Sequence, residues 1–213
     1  MNKKWQIYDI DENKIEEISK TYNINKLLST ILVNRNIVSK KDINKFLKPT
    51  RNDFHDPFLI LDMEKAVERI IQAINKQENV TIYGDYDVDG ITSITVLKSY
   101  LQDRGLEVNT YIPNRLDEGY GLNNNAIDKI AKSGCELMIT VDCGISAIDE
   151  INYATSLGIE TIVTDHHEPG EDIPKALAVI DNKRKDSKYP FRELAGVGVV
   201  FKLIQAISIK LDL

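Results

Sequence analysis

Cysteine is scarce in this sequence, and so are positive charge and long apolar runs. Its two cysteines, Cys135 and Cys143, are too few for a disulfide framework. A cytoplasmic protein with reduced thiols is expected. No apolar run approaches the roughly 18 residues that cross a bilayer. The best, residues 196–204, is broken by Lys202, and the opening Met1-Asn-Lys-Lys-Trp-Gln6 leads into no signal-type apolar core. No membrane association is expected. Lys and Arg number 27 against 33 Asp and Glu, for a net charge of −6 and a pI near 5.2. That balance speaks against a dedicated, basic nucleic-acid-binding module. It leaves room for an enzyme that meets phosphate through bound cations, because such ions reverse the local charge. The one dense basic patch, Lys183-Arg184-Lys185 with Lys188, reads as a solvated turn in preference to a DNA contact. Repeats and low-complexity segments are absent.

The length of 213 residues suits one α/β domain with a small additional element. Residues 1–48 place Ile15, Ile18, Ile24, Leu27, Leu28, Ile31 and Leu32 at helical spacings. Ser39-Lys-Lys-Asp42 looks like a further helix start, and Pro49 ends that helix. A helical N-terminal segment is therefore expected over 1–48, then a linker over 50–61, within a main domain spanning 49–213. From Asp62, read as a helix cap, the pattern becomes strand–helix alternation. Strands are expected at 80–83, 107–112, 137–141, 159–164 and 176–180. Helices are expected at 91–102, at 124–132 capped by Asn123, at 146–156 and at 196–210. Short apolar strands alternating with helices predict a parallel sheet covered by helices on both faces.

The chain is organised around Val80-Thr-Ile-Tyr-Gly-Asp-Tyr-Asp-Val-Asp-Gly-Ile-Thr-Ser93. Asp85, Asp87 and Asp89 stand on alternate residues between Gly84 and Gly90. Each pair of such carboxylates repels by about 1 kcal/mol even in high dielectric. A cation is the natural compensation. Two other strands end in polar clusters, Asp142-Cys-Gly144 and Asp165-His-His167. Parallel strands place their carboxyl ends on one edge of the sheet, so the three clusters should meet there.

Carboxylates and imidazoles without convergent thiolates suit Mn²⁺, Mg²⁺ or Zn²⁺, the first two above a structural zinc. With Asp87 and Asp89 diverging across a turn and Asp142 entering from a neighbouring strand, two ions about 3.5–4 Å apart are reasonable. Such a pair points to phosphoester hydrolysis. A calcium loop of the EF-hand kind is disfavoured, since Val96 stands where its twelfth-position Glu is required and a strand precedes the loop. Thr92 and Ser93 open a helix whose N–H groups can hold an anion. Arg115, in a glycine-containing loop on the same edge, is available for phosphate, unless it pairs with Asp117 or Glu118. Cys143 reads as a packing residue.

Gly84-Asp-Tyr-Asp-Val-Asp-Gly-Ile-Thr-Ser93, Val141-Asp-Cys-Gly-Ile-Ser146 and Thr164-Asp-His-His167 resemble the first three motifs of the DHH phosphoesterase superfamily. Within it, Pro113–Leu122 and Leu194–Lys202 resemble the RecJ family of single-stranded-DNA-specific 5′→3′ exonucleases. The resemblance implies Asp87, Asp89, Asp142 and His166 as ligands of Mn²⁺ or Mg²⁺, with Asp142 bridging two ions. It implies a supporting or phosphate-facing role for His167, and Asp85 and Asp165 as residues that orient the ligands. Catalysis would rest on Asp142, His166 and His167. The implied setting is DNA repair and recombination, with single-stranded DNA as substrate. The implied partners are a single-strand-binding protein and a RecQ-type helicase, and a monomer is expected. The family's fourth motif, Gly-Thr-hydrophobic-Ala-Asp, has no counterpart before Leu213. An N-terminal fragment with little or no activity of its own is therefore expected. Two other outcomes are kept: hydrolysis of short oligonucleotides, cyclic dinucleotides or pyrophosphate on the same chemistry, and a non-catalytic DHH scaffold.

Overall fold

The computed structural model describes residues 9, 11–115 and 119–213. The chain divides into two compact units, Met1–Phe54 and His55–Leu213. In the first, α1 (Glu12–Tyr22), α2 (Lys26–Asn34) and α3 (Lys40–Leu47) surround Ile18, Leu32 and Ile43. Each helix has a short polar side chain at its start. Asp11, Asn25 and Ser39 accept the backbone N–H three residues on, satisfying one of the orphan donors of the first turn.

Two single 3₁₀ turns follow, Arg51–Asp53 just before the boundary of the second unit and Pro57–Leu59 inside it. The second unit continues with α4 (Met63–Lys76), β1 (Val80–Gly84), α5 (Val88–Gln102), β2 (Val108–Tyr111), α6 (Asn124–Lys132), β3 (Leu137–Val141), α7 (Ile148–Ser156), β4 (Glu160–Asp165), β5 (Ala178–Asp181) and α8 (Gly196–Lys210). The five strands form one parallel sheet in the order β2-β1-β3-β4-β5. Val80, Ile82, Leu137, Ile139, Val141 and Ile162 face α4, α5 and α8. Tyr83, Met138, Val163 and Val179 face α6 and α7. Because both faces are covered, β1, β3, β4 and β5 are buried almost throughout, while the edge strand β2 exposes Asn109 and Thr110. This is the α/β architecture expected from the alternation. The sequence order reverses direction between β1 and β3, the position where ligands bind in open parallel sheets.

Four local expectations are corrected. The helix after β1 starts at Val88 and not at residue 91, because Asp87 caps it by accepting the Gly90 N–H at 2.9 Å. Asp62 does precede α4, but its side chain makes no cap bond. Its carboxylate takes the Val179 N–H at 3.1 Å and Arg184 Nη1 at 2.8 Å. Arg184 is therefore no part of a solvated basic turn. It is buried, with Nη2 2.8 Å from Asp186 and Nη1 also donating to the Val179 carbonyl. Lys183 is half-buried between Glu168 and Glu193.

Arg184 is buried but its carboxylate partners are 38% and 64% exposed, so removing it leaves the Val179 carbonyl unpaired and two carboxylates that water can solvate. Arg184→Ala is expected to cost about 1–2 kcal/mol of stability, read as a lower urea midpoint at unchanged slope. An unchanged midpoint would show that the network contributes nothing. Among the described residues no helix is long and apolar enough to cross a membrane.

Candidate metal centre

All three polar clusters lie at the carboxyl edge of the sheet, around the switch between β1 and β3. Asp142 is the centre. It follows β3 with its N–H still bonded to the Thr164 carbonyl at 3.0 Å, then turns the chain at φ +60°. Asp is among the few side chains that tolerate this left-handed conformation. Gly144, at φ +114°, continues the turn, and Thr140 Oγ1 closes it by donating to the Cys143 carbonyl at 2.8 Å. The Asp142 side chain is 1% exposed, and neither carboxylate oxygen receives a well-aligned hydrogen bond from the described residues. Its Oδ1 lies 3.0 Å from His166 Nε2. Asp89 Oδ2 lies 4.0 Å from the same nitrogen.

The charge crowding is visible in the proton affinities of the metal-free protein. Burial, then the neighbouring Asp87 carboxyl, then the charge of Asp89 push Asp142 up to about 8. Asp87 is exposed at the cap of α5 and goes the other way, held down first by the Gly90 N–H. Asp85, 1% exposed with an unpartnered Oδ1, is pushed up chiefly by burial. A buried carboxylate oxygen without a donor is costly unless a cation compensates.

Asp165 has the opposite environment. Its carboxylate accepts the Ile145 N–H at 2.9 Å, the His166 N–H at 2.7 Å, the His167 N–H at 3.2 Å and His167 Nδ1 at 2.7 Å. Burial works to raise it, but those donors hold it below the usual range. In return the Asp165 hydrogen bond raises His167. Asp165 thus fixes the two histidine backbones and leaves His167 Nε2 free to face outward, 3.4 Å from the Tyr120 hydroxyl.

Ligand atoms of Asp142, His166 and His167 all lie within 4.8 Å of one another, close enough for a cation held by Asp142 and His166 to have His167 beside it. With the orphaned Asp142 oxygens and the hard-to-borderline donors, this set fits Mn²⁺ or Mg²⁺. Cys143 does not compete as a ligand: it is buried, and burial holds its thiol well above its ordinary value. Arg115 is placed at the rim, its guanidinium 5.4 Å from the centre of the Tyr86 ring. Its alternative partners Asp117 and Glu118 lie outside the described residues.

Ser93 departs from expectation. It is fully buried on the inner stripe of α5 with Ile94, Leu97 and Leu101, so it cannot meet a phosphate. The earlier helix start moved it inward by most of a turn. Residues missed by the sequence reading are Tyr120, which stands over His167, and Gly196. The first turn of α8 approaches so closely that a Cβ on Gly196 would fall 2.4 Å from Asp142 Oδ1. The alternating Gly196 and Gly198 at a helix start were the available signal.

Gly90 is similarly tied to the acidic loop, but through backbone. A Cβ there would fall 2.2 Å from the Asp85 carbonyl oxygen and 2.8 Å from its nitrogen. Backbone cannot swing aside. Gly90→Ala is expected to destabilise the chain by about 3 kcal/mol, at the upper end of overpacking costs, measured by urea unfolding. A midpoint equal to the parent's would refute that close approach.

Comparison with known proteins gives a consistent result. The profile of the "DHH family, N-terminal domain" matches residues 79–212. The single-stranded-DNA-specific exonuclease RecJ of Bacillus subtilis is 43% identical over 96% of the chain, which covers 26% of that relative. The RecJ of Haemophilus influenzae is 33% identical over 91% of the chain and 33% of its own length. The chain therefore spans about a quarter to a third of these relatives. Among solved structures, an exonuclease RecJ bound to manganese superposes with TM-score 0.67 at 32% identity over 72% of the chain and 39% of its own. RecJ of Thermus thermophilus in complex with Mn²⁺ gives 0.71 at 25% identity over 94% of the chain and 28% of its own.

Proposed function

This chain belongs to the DHH family, and from that membership we propose that it carries the divalent-metal centre of a phosphodiesterase that degrades single-stranded DNA from the 5′ end. The observation that carries the reading is the buried Asp142 carboxylate, without a well-aligned hydrogen bond from the described residues and 3.0 Å from His166 Nε2, at the switch point of the sheet. The similarity to proteins named as single-stranded-DNA-specific exonucleases supports the substrate, and the manganese-bound RecJ structures support the metal.

Asp142 and His166 are the residues to hold Mn²⁺ or Mg²⁺, with Asp87 and Asp89 flanking them and room in the donor set for two ions. When bound, such ions supply a hydroxide-like nucleophile at neutral pH and neutralise charge on the phosphoryl group. The chain's own groups do the rest. His167, kept protonated more readily by Asp165, donates from Nε2 toward a phosphate oxygen. Arg115 approaches from the rim as a second anchor for phosphate. Asp85 and Asp165 hold the loop and the histidines in place.

A chimera tests the reading. This chain replaces the corresponding N-terminal quarter of the Bacillus subtilis relative. Expected is Mn²⁺-dependent release of nucleotides from the 5′ end of single-stranded DNA, abolished by Asp142→Asn. A chimera that folds and binds Mn²⁺ yet leaves single strands intact would overturn the substrate, and one that binds no Mn²⁺ would overturn the centre.

A further inference from the structure

Beside the metal centre, on the far side of His167, is a cavity of about 330 Å³ that the chemistry above does not use. This lies at the small end of ligand pockets, room for one ring system and not for a polymer. Its walls include Tyr120, Leu122, Ile145, Ser146, Glu150 and His167. Leu122 and Ile145 are buried apolar surfaces, while Tyr120 is 57% exposed at the rim. The Tyr120 ring stands nearly perpendicular to His167, centroids 6.2 Å apart, and to Tyr86 at 6.5 Å. Its polar side-chain groups are the Tyr120 and Ser146 hydroxyls, the Glu150 carboxylate at the start of α7, and Asp165 with His167.

The charge of the walls decides what can enter. The carboxylates are Glu150 and Asp165, and among the lining residues there is neither lysine nor arginine. Asp165 is already committed to four donors. A phosphate would meet the Glu150 and Asp165 carboxylates there, and the one lining group able to carry positive charge, His167, is already paired with Asp165. A neutral, flat, hydrogen-bonding ring has the opposite balance: apolar walls for its faces, an aromatic side chain to stack on, and a carboxylate for its N–H groups. The cavity shares His167 with the metal centre, so a ring held in it is adjacent to a phosphodiester held at Asp142.

We propose that this cavity receives the base of the nucleotide whose phosphodiester lies at the metal centre, with Tyr120 as its stacking surface and Glu150 accepting from its N–H groups. The proposal rests on the function proposed above, but the binding it describes does not need the metal.

The test therefore uses a ligand without phosphate. The ¹⁵N-labelled chain in EDTA is titrated with 2′-deoxyadenosine, and in parallel with inorganic phosphate. Expected with the nucleoside are saturable shifts at the amides of Leu122, Ile145 and Ser146, with a millimolar Kd, and none with phosphate. Tyr120→Ala is expected to weaken binding about tenfold, through the lost stacking surface. Glu150→Gln is expected to weaken it about fivefold while Mn²⁺ affinity and Tm stay as in the parent. Asp142→Asn should leave nucleoside binding intact, so failure of the metal centre and failure of the base site are separately visible. Absence of shifts at these amides up to about 20-fold the expected Kd, displacement by phosphate, or indifference to both Tyr120→Ala and Glu150→Gln overturns the proposal.

Discussion

Asp142→Asn is expected to make the metal-free chain more stable and at the same time abolish its response to Mn²⁺. The reason is the site's charge. A carboxylate pushed up to about 8 from an ordinary 3.8 binds a proton more readily in the folded chain than in the unfolded one. Between those values the folded state holds the proton that the unfolded state has released. Stability of the metal-free protein therefore falls as pH rises from about 4 through 8. An amide of the same shape has no charge to desolvate and none for Asp87 and Asp89 to repel. At pH 8 the gain is expected to be ~3 kcal/mol, below the full linkage value because Asp87 shares the interaction. In a chain of this size that raises Tm by about 6–12 °C.

Mn²⁺ should stabilise the parent strongly, since it binds the folded form alone, and should leave the variant's Tm unmoved. A further consequence is pH-dependent affinity. Asp142 must lose its proton to take a cation, so Mn²⁺ binding should weaken by up to about tenfold per pH unit below 8. Calorimetric titrations at pH values of about 6.5, 7.5 and 8.5 measure this. A pH-independent affinity, or an Asp142→Asn chain that is less stable without metal, would remove Asp142 from the centre.

The convergence behind this prediction was legible in the sequence, because it depends on one topological fact. Parallel strands deliver their last residues to one edge, so Asp85–Asp89, Asp142 and Asp165–His167 had to meet once the strands were recognised. The inner strands were recognisable because burial on both faces makes them largely apolar and β-branched. What could not be read was whatever depends on neighbours distant in the chain. The order β2-β1-β3-β4-β5 leaves no periodic trace, yet it puts Asp89 and Asp142 beyond the ends of adjacent strands. Asp62 looked like a cap because Asp commonly is one, but the 2.8 Å contact with Arg184 from across the fold outcompetes its own helix. Ser93 looked available because the helix was started three residues late. Asp87 as cap rotates Ser93 into the core, and a cap bond to Gly90 is a choice between three neighbouring aspartates that spacing alone does not make. The cavity beside His167 is built from three separate segments, and no single segment announces it.

Gly196→Ala should separate the centre from the fold in the direction opposite to Gly90→Ala. The added Cβ would stand 2.4 Å from Asp142 Oδ1 and 2.8 Å from its Cγ. One of the two must yield. The helix is held by Val199, Val200, Leu203, Ala206 and Ile207, all fully buried against the sheet and its neighbours. Withdrawing α8 would open that core at a cost of several kcal/mol. The Asp142 carboxylate receives no well-aligned hydrogen bond from the described residues, its neighbours Asp87 and His166 are themselves side chains, and it sits at the end of a side chain that can rotate. It is the carboxylate that moves. Alanine is also the better helix former, and at the first position of α8 a fraction of its interior advantage of about 1 kcal/mol offsets a small part of the crowding. Overall stability is therefore expected to change by less than about 1 kcal/mol. Mn²⁺ affinity is expected to fall at least about tenfold, because a ligand displaced by a fraction of an ångström no longer meets the His166 nitrogen across a shared ion. Differential scanning calorimetry and Mn²⁺ titration on the same preparation read the two effects separately. If affinity is retained with stability unchanged, the first turn of α8 does not set the position of Asp142. If stability falls in step with affinity, the helix and not the carboxylate has moved.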